Sequence, residues 1–400
     1  MTIAKHIRNS LEEGSFSRRM FEEGIALKQQ YGAENVFDLS LGNPMMEPPP
    51  EFNQELRKLV EHPLPGMHRY MPNAGYPEAR VAVAEQLSKE TNIKFTMHEV
   101  IMTCGAAGAL NVVLKTILNP GEEVILFAPY FTEYRNFITN QGGVTTILPT
   151  DERFLPELDI LETTISPKTR ALIINSPNNP TGVVYSDELL SQMGEIIRKK
   201  EAQYKTEIFL ISDEPYRKII YDGLKYPPPS HHHPRSIIVS SHSKDLSLPG
   251  ERIGYIAINH KYDQRREMVD GFIFCNLTLG FVNAPALMQH IVSHLQSVTV
   301  PAAAYQRNRD LLYGNLIMMG YSVRKPQGAF YMFPKIPIED DMAFVDELKQ
   351  RKVLVVPGIG FGVTGHFRIS YCVDDRTLEG ALDGLRNVAQ KFNLGSRNHG

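Results

Sequence analysis

The chain of 400 residues has few cysteines, no long apolar run and almost no net charge. Its three cysteines, Cys104, Cys275 and Cys372, are far apart and lack metal-ligand spacing, which favours a reducing cytoplasm over a disulfide framework. A formal charge of −3 offers no electrostatic case for binding nucleic acid or an acidic membrane. No apolar run approaches the about 20 residues that a membrane-spanning helix needs. We therefore expect a globular enzyme in the cytoplasm.

Two further segments lack features that would suggest export or metal binding. Residues 1–30 are charged and amphipathic, without the apolar core or small-residue cleavage site of a secretory signal. The triplet His231-His232-His233 lies between prolines, with no cysteine or carboxylate cluster beside it, so a loop is the simpler interpretation than a metal site. The sequence predicts no metal.

Between about residues 100 and 260, helical patterns alternate with short, continuous apolar runs. The runs lie at residues 124–127, 171–174, 208–211, 237–239 and 253–258. Apolar strands separated by helices predict an α/β fold in which a mostly parallel sheet is covered by helices on both faces.

The rest of the chain predicts a smaller α+β domain. Residues 280–319 have the pattern of a long helix; further strands are expected at residues 330–333, 353–356 and 368–371, with a helix at 342–351. We expect residues 49–290 to form the large domain and residues 291–400 the small domain. The N-terminal segment, residues 1–48, is expected to join the small domain.

Polar residues follow several of the predicted strands. Asn179 comes after the second run, Asp213 and Tyr216 after the third, and Ser241 and Lys244 after the fourth. Parallel sheets bind ligands beyond the carboxyl ends of their strands, so this recurrence predicts one site.

Lys244 is the most informative of these residues. A lysine held at a strand end in a partly dry site can lose its proton and form a Schiff base with a carbonyl cofactor. Ser241 and Arg252 on either side could bind the phosphate of such a cofactor. An exposed loop lysine is the alternative. The small residues 105–108 precede a predicted helix and could also accommodate a phosphate, although a tight packing turn explains them equally well.

Asp213 follows a buried strand, where a carboxylate is costly unless it meets a cation. A protonated pyridine nitrogen would be such a partner, and a structural pair with an arginine is the alternative.

Together these residues resemble a known family. The chain is similar to the class I aminotransferases, which are fold type I enzymes that depend on pyridoxal 5′-phosphate. The resemblance runs in family order from about residue 40 to residue 372. The matching segments are Leu41-Gly42-Asn43-Pro44, Tyr70 to Gly75, Asn179-Pro180-Thr181-Gly182, Asp213-x-x-Tyr216, Ser-x-Ser-Lys244 with Arg252, and Arg368.

The resemblance implies a role for each matching residue around the cofactor ring. Lys244 would hold the cofactor as a Schiff base and then transfer the proton, and Asp213 would keep the pyridine nitrogen protonated. Tyr216 and Asn179 would hydrogen-bond the phenolic oxygen of the cofactor, and Phe131 would stack on the ring.

The resemblance also implies ligands for the cofactor phosphate and for the substrate. The phosphate would be held by the backbone amides of Ala106 and Ala107, by Ser241 and Arg252, and by Tyr70 from the neighbouring subunit of a homodimer. Arg368 would bind the α-carboxylate of the substrate through two parallel hydrogen bonds, while Gly42 and Asn179 would lie beside that carboxylate.

The sequence leaves the amino donor open. The phosphate loop at residues 105–108 lacks the lysine with which one branch of aspartate aminotransferases binds the distal carboxylate, and Met45-Met46 adds an apolar pair near Gly42. Both features weaken the case for aspartate without excluding it. An α,β-eliminating lyase or a synthase on the same fold would use the same lysine, aspartate and tyrosine, and is the main alternative.

A cofactor-sensing transcriptional regulator is a further alternative of a different class. Such a protein needs an N-terminal DNA-binding domain, and only about 40 residues precede Gly42. No basic recognition helix is visible there, so an enzyme is the better interpretation.

Overall fold

The structure is a computed structural model that describes residues 2–4, 7–8 and 16–394. Within these residues the chain forms twelve strands and thirteen α-helices. The strands are β1 Phe37–Asp38, β2 Val100–Thr103, β3 Glu123–Phe127, β4 Val144–Leu148, β5 Thr169–Asn175, β6 Phe209–Asp213, β7 Ser236–Ser241, β8 Gly254–Ile258, β9 Tyr331–Met332, β10 Val353–Leu354, β11 Val356–Pro357 and β12 Phe367–Ser370. The helices are α1 Phe16–Tyr31, α2 Pro50–Glu61, α3 Pro77–Thr91, α4 Gly105–Ile117, α5 Glu133–Asn140, α6 Leu158–Thr164, α7 Asp187–Tyr204, α8 His242–Asp245, α9 Arg265–Thr278, α10 Ala286–Val292, α11 Ala302–Met318, α12 Asp341–Gln350 and α13 Asp375–Lys391.

A central sheet of seven strands has the order β2-β8-β7-β6-β5-β3-β4. Strands β4, β3, β5, β6 and β7 are parallel neighbours, and β8 runs antiparallel to both β7 and β2. The expected mostly parallel sheet is thus confirmed. Parallel strands with apolar residues on both faces need helices on both sides, since neither face can remain in contact with water.

Alternate residues of the strands pack against helices on opposite faces. Leu126, Ile173 and Ile211 share one core with α4, α5 and α9. Leu172 and Leu210 share another core with α6 and α7, and β2 and β8 pack with α3 and α10. Each fully buried side chain of this kind contributes about 1.5–3 kcal/mol to the stability of the folded state. The sheet edge that carries the site is therefore anchored from both sides.

The N-terminal and C-terminal segments share a further core. Two short sheets, β1-β10 and β11-β12-β9, are covered by α1, α11, α12 and α13. Met20 and Leu39 lie in this core with Phe330, Phe344 and other residues from the second half of the chain. The division at residues 48 and 290 stays a prediction.

The predicted long helix at residues 280–319 is wrong. Pro285 and Pro301 are instead the N-cap residues of two separate helices, α10 and α11, because a proline inside a helix lacks the N–H donor and clashes with the preceding turn. The single strand predicted at residues 353–356 is divided between two sheets, as β10 and β11. Among the described helices, none combines the length and the apolar composition needed to cross a membrane.

Candidate active site

Three parallel strands end in polar residues at the same edge of the central sheet. Asn175 ends β5, Asp213 ends β6 and Ser241 ends β7. The amide of Asn175 donates to the backbone oxygen of Asp213 at 2.9 Å, and its oxygen accepts the backbone N–H of Asn179 at 2.7 Å. These bonds place Asn179 beside the end of β6. The carboxyl edge of the sheet thus gathers side chains that are distant in sequence.

Lys244 belongs to the short helix α8, directly after β7. Its Nζ donates to the backbone oxygen of Gly42 at 2.6 Å and lies 5.5 Å from the centre of the Phe330 ring. Burial, aided by the positive charges of Arg368 and Arg252, lowers the pKa of Lys244 to about 8. The amine therefore deprotonates more readily than an ordinary lysine, which makes it a competent nucleophile.

Asp213 is buried with one carboxylate oxygen satisfied and the other not. Tyr134 Oη donates to Asp213 Oδ2 at 2.5 Å, whereas Oδ1 has no hydrogen-bond partner among the described residues. Burial raises the pKa of Asp213 to about 7 against the opposing effect of the Tyr134 hydrogen bond, and the charge of Glu214 adds to the rise. A buried carboxylate oxygen without a hydrogen-bond donor is energetically costly. Oδ1 is therefore suited to accept a hydrogen bond from a bound group.

Tyr216 and Gly42 meet through a residue that the sequence did not single out. The hydroxyls of Tyr216 and Tyr331 lie 2.9 Å apart, and their rings pack edge to face. A Cβ atom at position 42 would lie 1.8 Å from Tyr331 Oη, so only glycine fits there. This close approach also brings the backbone oxygen of Gly42 to Lys244.

Arg368 lies on β12 and is buried. Its Nη1 donates to Asn179 Oδ1 at 3.1 Å and its Nη2 donates to the backbone oxygen of Ser40. The guanidinium carbon lies 4.7 Å from the ring centre of Tyr331 and 4.8 Å from that of Phe361, while Nε has no partner among the described residues. Burial lowers the pKa of Arg368, yet a guanidinium stays protonated in proteins. A buried, oriented cation of this kind is suited to bind a carboxylate.

The first turn of α4 lies against Arg252. Gly105 begins the helix with φ +69°, and Ala106 and Ala107 follow, where the backbone N–H groups have no partner within the helix. A Cβ at position 105 would lie 2.7 Å from Arg252 Nη2. The helix N-terminus and the guanidinium together form a positive surface suited to a phosphate.

Ser241 is held next to this helix start by close backbone packing. Its partner across the β7–β8 ladder is Gly254, and a Cβ there would lie 2.9 Å from Gly105 Cα. The hydroxyl of Ser241 donates to Ser243 Oγ at 3.1 Å. The two serines therefore add hydroxyl groups beside the amides of α4.

Phe131 and Tyr70 occupy different environments. Phe131 is half-buried and packs edge to face on Tyr134, with 5.4 Å between ring centres. Tyr70 is 91% exposed and lines a surface groove with residues 68–71 and 281–284. The structure thus brings Phe131 toward Asp213 through Tyr134, whereas Tyr70 points away from the interior of the chain.

Tyr134 and Tyr331 contact this site directly and were missed by the sequence reasoning, as were Ser40 and Phe361 beside Arg368. Tyr134 lies three residues after Phe131, just inside α5, and its backbone N–H donates to the backbone oxygen of Phe131 at 3.1 Å in the turn that begins this helix. Tyr331 lies in the aromatic run 330–333, which indicated a strand without showing which side chain faces the site.

The described residues contain no group of three or more histidine, cysteine or acidic side chains that could bind a metal. Within the histidine triplet, His232 Nε2 lies 2.8 Å from Asp187 Oδ1, and His233 Nε2 lies 2.8 Å from the backbone oxygen of Ile208. These side chains thus have structural partners.

Comparison with known proteins identifies the family. The family model for aminotransferase class I and II matches residues 34–385. The chain belongs to this family. The aminotransferase is 32% identical over 379 residues to a protein of Thermus aquaticus named a probable aspartate/prephenate aminotransferase, with 91% of this chain and 94% of that protein covered. Its reaction is pyridoxal 5′-phosphate-dependent transamination.

Solved structures show the same fold. A structure named an amino transferase from Eubacterium rectale superposes on the aminotransferase with a TM-score of 0.94 and 37% sequence identity, covering 98% of this chain and 100% of that one. A Thermus thermophilus aspartate aminotransferase with maleate gives a TM-score of 0.87 at 28% identity, covering 97% of this chain and 100% of that one. The predicted α/β architecture is therefore confirmed.

The described residues fit the cofactor of this family. The unpartnered Asp213 Oδ1 matches the N–H of a pyridinium, and the start of α4 with Arg252 matches a phosphate. Lys244, with its lowered pKa, has the readily deprotonated amine that a Schiff base with a cofactor aldehyde requires.

Proposed function

We propose that this aminotransferase exchanges an amino group between an L-amino acid and a 2-oxo acid at the edge of the central sheet, with Lys244 as its catalytic lysine. One observation supports this most strongly: Lys244, Asp213 and Arg368 are joined by a continuous set of contacts. These run from Lys244 through Gly42 and Tyr331 to Arg368, and from Arg368 through Asn179 to the end of β6. When bound, pyridoxal 5′-phosphate supplies an electron-withdrawing ring that stabilises negative charge on the substrate Cα.

Lys244 would bind the cofactor covalently and afterwards accept and return a proton through Nζ. Its pKa near 8 leaves a usable fraction of neutral amine at neutral pH, and a base with a pKa close to the working pH transfers protons most effectively. The hydrogen bond holds Nζ at Gly42, which lies against Tyr331, and the guanidinium carbon of Arg368 lies 4.7 Å from the centre of the Tyr331 ring. Lysine, substrate and carboxylate ligand would thus share one side of the site.

Asp213 would bind the pyridine nitrogen through Oδ1 and keep that nitrogen protonated. Tyr216 and Asn179 would hydrogen-bond the phenolic oxygen, for which each has a hydroxyl or amide near Arg368. Phe131 would cover the ring face, since it is held in place by its edge-to-face contact with Tyr134.

The phosphate would be bound by the backbone amides of Ala106 and Ala107, by Ser241 and by Arg252. The N-terminus of α4 adds partial positive charge, and each charge-assisted hydrogen bond contributes about 1.5–3 kcal/mol. Ser243 is a further donor beside Ser241.

Arg368 would bind the α-carboxylate of both substrates, with Asn179 and Gly42 next to it. A single ligand for both is sufficient because the amino acid and the 2-oxo acid share that carboxylate. Gly42 would leave space for it, since any larger residue meets Tyr331.

The function is tested by mixing the cofactor-loaded protein with each L-amino acid in turn and following the visible absorbance of the bound cofactor. We expect a subset of the amino acids to convert the bound cofactor and so to change its visible absorbance. Leucine, methionine or phenylalanine as the best donors would agree with Met45 and Met46; aspartate or glutamate would require a cation for the distal carboxylate. Pyruvate and ammonia from a cysteine-type substrate, without conversion of the cofactor, would instead indicate an eliminating lyase.

A cytoplasmic homodimer is part of the same proposal. Tyr70 is 91% exposed, and we expect its hydroxyl to reach the cofactor phosphate of the neighbouring subunit. Light scattering should therefore give the mass of a dimer. The described cysteines are all free, in keeping with a reducing compartment.

Tyr70→Phe is expected to raise the dissociation constant of pyridoxal 5′-phosphate about 10-fold, because one hydrogen bond to a charged phosphate is lost. Equilibrium dialysis of the cofactor measures this constant. Tyr31→Phe is the control, since Tyr31 is also an exposed tyrosine but lies at the end of α1. The shared site would be contradicted if the unsubstituted protein were a monomer. It would also be contradicted if the Tyr70→Phe variant bound the cofactor with unchanged affinity.

A further inference from the structure

Tyr134 connects two parts of the site and has no assigned role. It lies in the first turn of α5 and is almost fully buried. Its hydroxyl donates to Asp213 Oδ2 at 2.5 Å, a short bond of the kind formed between a hydroxyl and a charged carboxylate. Its ring supports Phe131 edge to face, at an interplanar angle of 83°. One side chain thus contacts both the acidic residue and the aromatic residue of the site.

The direction of this hydrogen bond is settled by the proton affinities of the two groups. Burial and the neighbouring Asp213 raise the pKa of Tyr134 well above its usual value, so the phenol keeps its proton and is the donor. Asp213 is faced by Tyr134 from α5, by Glu214 next along the chain and by Tyr216. Burial of Asp213 and the nearby charge of Glu214 raise its pKa and so favour the neutral acid. The hydrogen bond from Tyr134 lowers the pKa and so favours the carboxylate.

The hydrogen bond also distinguishes the two oxygens of Asp213. Oδ2 is occupied by Tyr134, and Oδ1 is buried without a partner among the described residues. A partial turn of the carboxylate about its Cβ–Cγ bond would lengthen the short bond to Tyr134, and a half-turn would only exchange the two equivalent oxygens. Oδ1 is therefore the oxygen that remains available to a ligand.

We infer that Tyr134 is a positioning residue for the cofactor: it holds the Asp213 carboxylate ionised and oriented, so that Oδ1 accepts the pyridinium N–H and the shared proton stays on nitrogen. This inference rests on the role proposed for Asp213. It assigns to α5 a contribution to the electronic state of the ring, in addition to support of Phe131.

Tyr134→Phe tests the inference because it removes only the hydroxyl and keeps the ring that supports Phe131. The full-length protein is loaded with pyridoxal 5′-phosphate labelled with ¹⁵N at the ring, and the ¹⁵N chemical shift is measured at neutral pH. Loss of one charge-assisted hydrogen bond is expected to shift the distribution of the proton between nitrogen and carboxylate about 10-fold toward Asp213. The resonance of the variant should therefore move from the pyridinium value toward that of neutral pyridine.

Tyr321→Phe is the matched control. Tyr321 is also a buried tyrosine whose hydroxyl donates one hydrogen bond, to the backbone oxygen of Leu385 at 2.9 Å, in the core of the N- and C-terminal segments. This control should lose stability like the test variant and leave the ¹⁵N shift unchanged. A second test replaces Tyr134 with 3-fluorotyrosine, a stronger donor of nearly the same shape, which should keep the proton on nitrogen.

The outcomes separate the inference from the proposed function. A ¹⁵N shift in Tyr134→Phe equal to that of the unsubstituted protein would overturn the role of Tyr134. The same would follow if the 3-fluorotyrosine protein showed a neutral nitrogen. If the nitrogen were neutral already in the unsubstituted protein, the role proposed for Asp213 itself would be wrong.

Discussion

Replacing Lys244 with alanine is expected to reduce transamination by at least about 1,000-fold, because the variant loses both the covalent attachment point and the amine that transfers the proton. The nearby cations, Arg252 and Arg368, cannot substitute for it, since a guanidinium does not release its proton in proteins. Single-turnover conversion of the cofactor by the best amino donor measures the loss. Borohydride reduction followed by peptide mass spectrometry should place the cofactor on the peptide of Lys244 in the unsubstituted protein and on no lysine in the variant.

Lys200→Ala provides a matched control for this experiment. Lys200 is a largely buried lysine on α7, 5.7 Å from the ring centre of Tyr204, much as Lys244 lies 5.5 Å from that of Phe330. Both variants lose a similar amount of packing, and only the Lys244 variant should lose turnover. Near-normal rates in Lys244→Ala, or cofactor still linked to another lysine, would refute the assignment of the catalytic lysine.

The sequence predicted the central sheet well because buried parallel strands are apolar on both faces. The runs that end at Asn175, Asp213 and Ser241 stand out against the helices between them, and the polar residue after each run marks the ligand-binding edge. Lys244 and Arg252 follow one of these strands closely, so local pattern was sufficient to place them together.

Other features could not be predicted because they depend on contacts between distant segments. Tyr134 reaches Asp213 across 79 positions, and Gly42 meets Tyr331 only after the N-terminal and C-terminal segments have packed together. The apolar pattern of residues 280–319 continues past Pro285 and Pro301, so periodicity alone suggested one helix where the backbone forms two. Side-chain orientation within the aromatic run 330–333 likewise follows from tertiary packing.

The second large effect is expected for Arg368→Lys. This variant should raise KM for both the amino acid and the 2-oxo acid by about 10- to 100-fold. A rise of this size corresponds to the loss of one charge-assisted hydrogen bond of about 1.5–3 kcal/mol. The planar guanidinium holds Asn179 and Ser40 while Nε remains available, whereas a lysine offers one ammonium on a flexible stem. Steady-state kinetics with each substrate varied in turn measures both constants. The visible absorbance of the bound cofactor should stay unchanged, because Arg368 is not a proposed cofactor ligand.

Arg309→Lys shows whether such an effect is specific to the site. Arg309 is also fully buried, with its guanidinium carbon 4.7 Å from the ring centre of Tyr221, the same distance that separates Arg368 from Tyr331. It pairs with Asp222 through two hydrogen bonds of 2.7 and 2.9 Å. Its replacement should lower the melting temperature and leave both KM values unchanged. If Arg368→Lys behaved in the same way, Arg368 would be a structural residue and another residue would have to bind the substrate carboxylate. A rise in both KM values in Arg368→Lys would instead mean that one guanidinium binds the carboxylate that both substrates share.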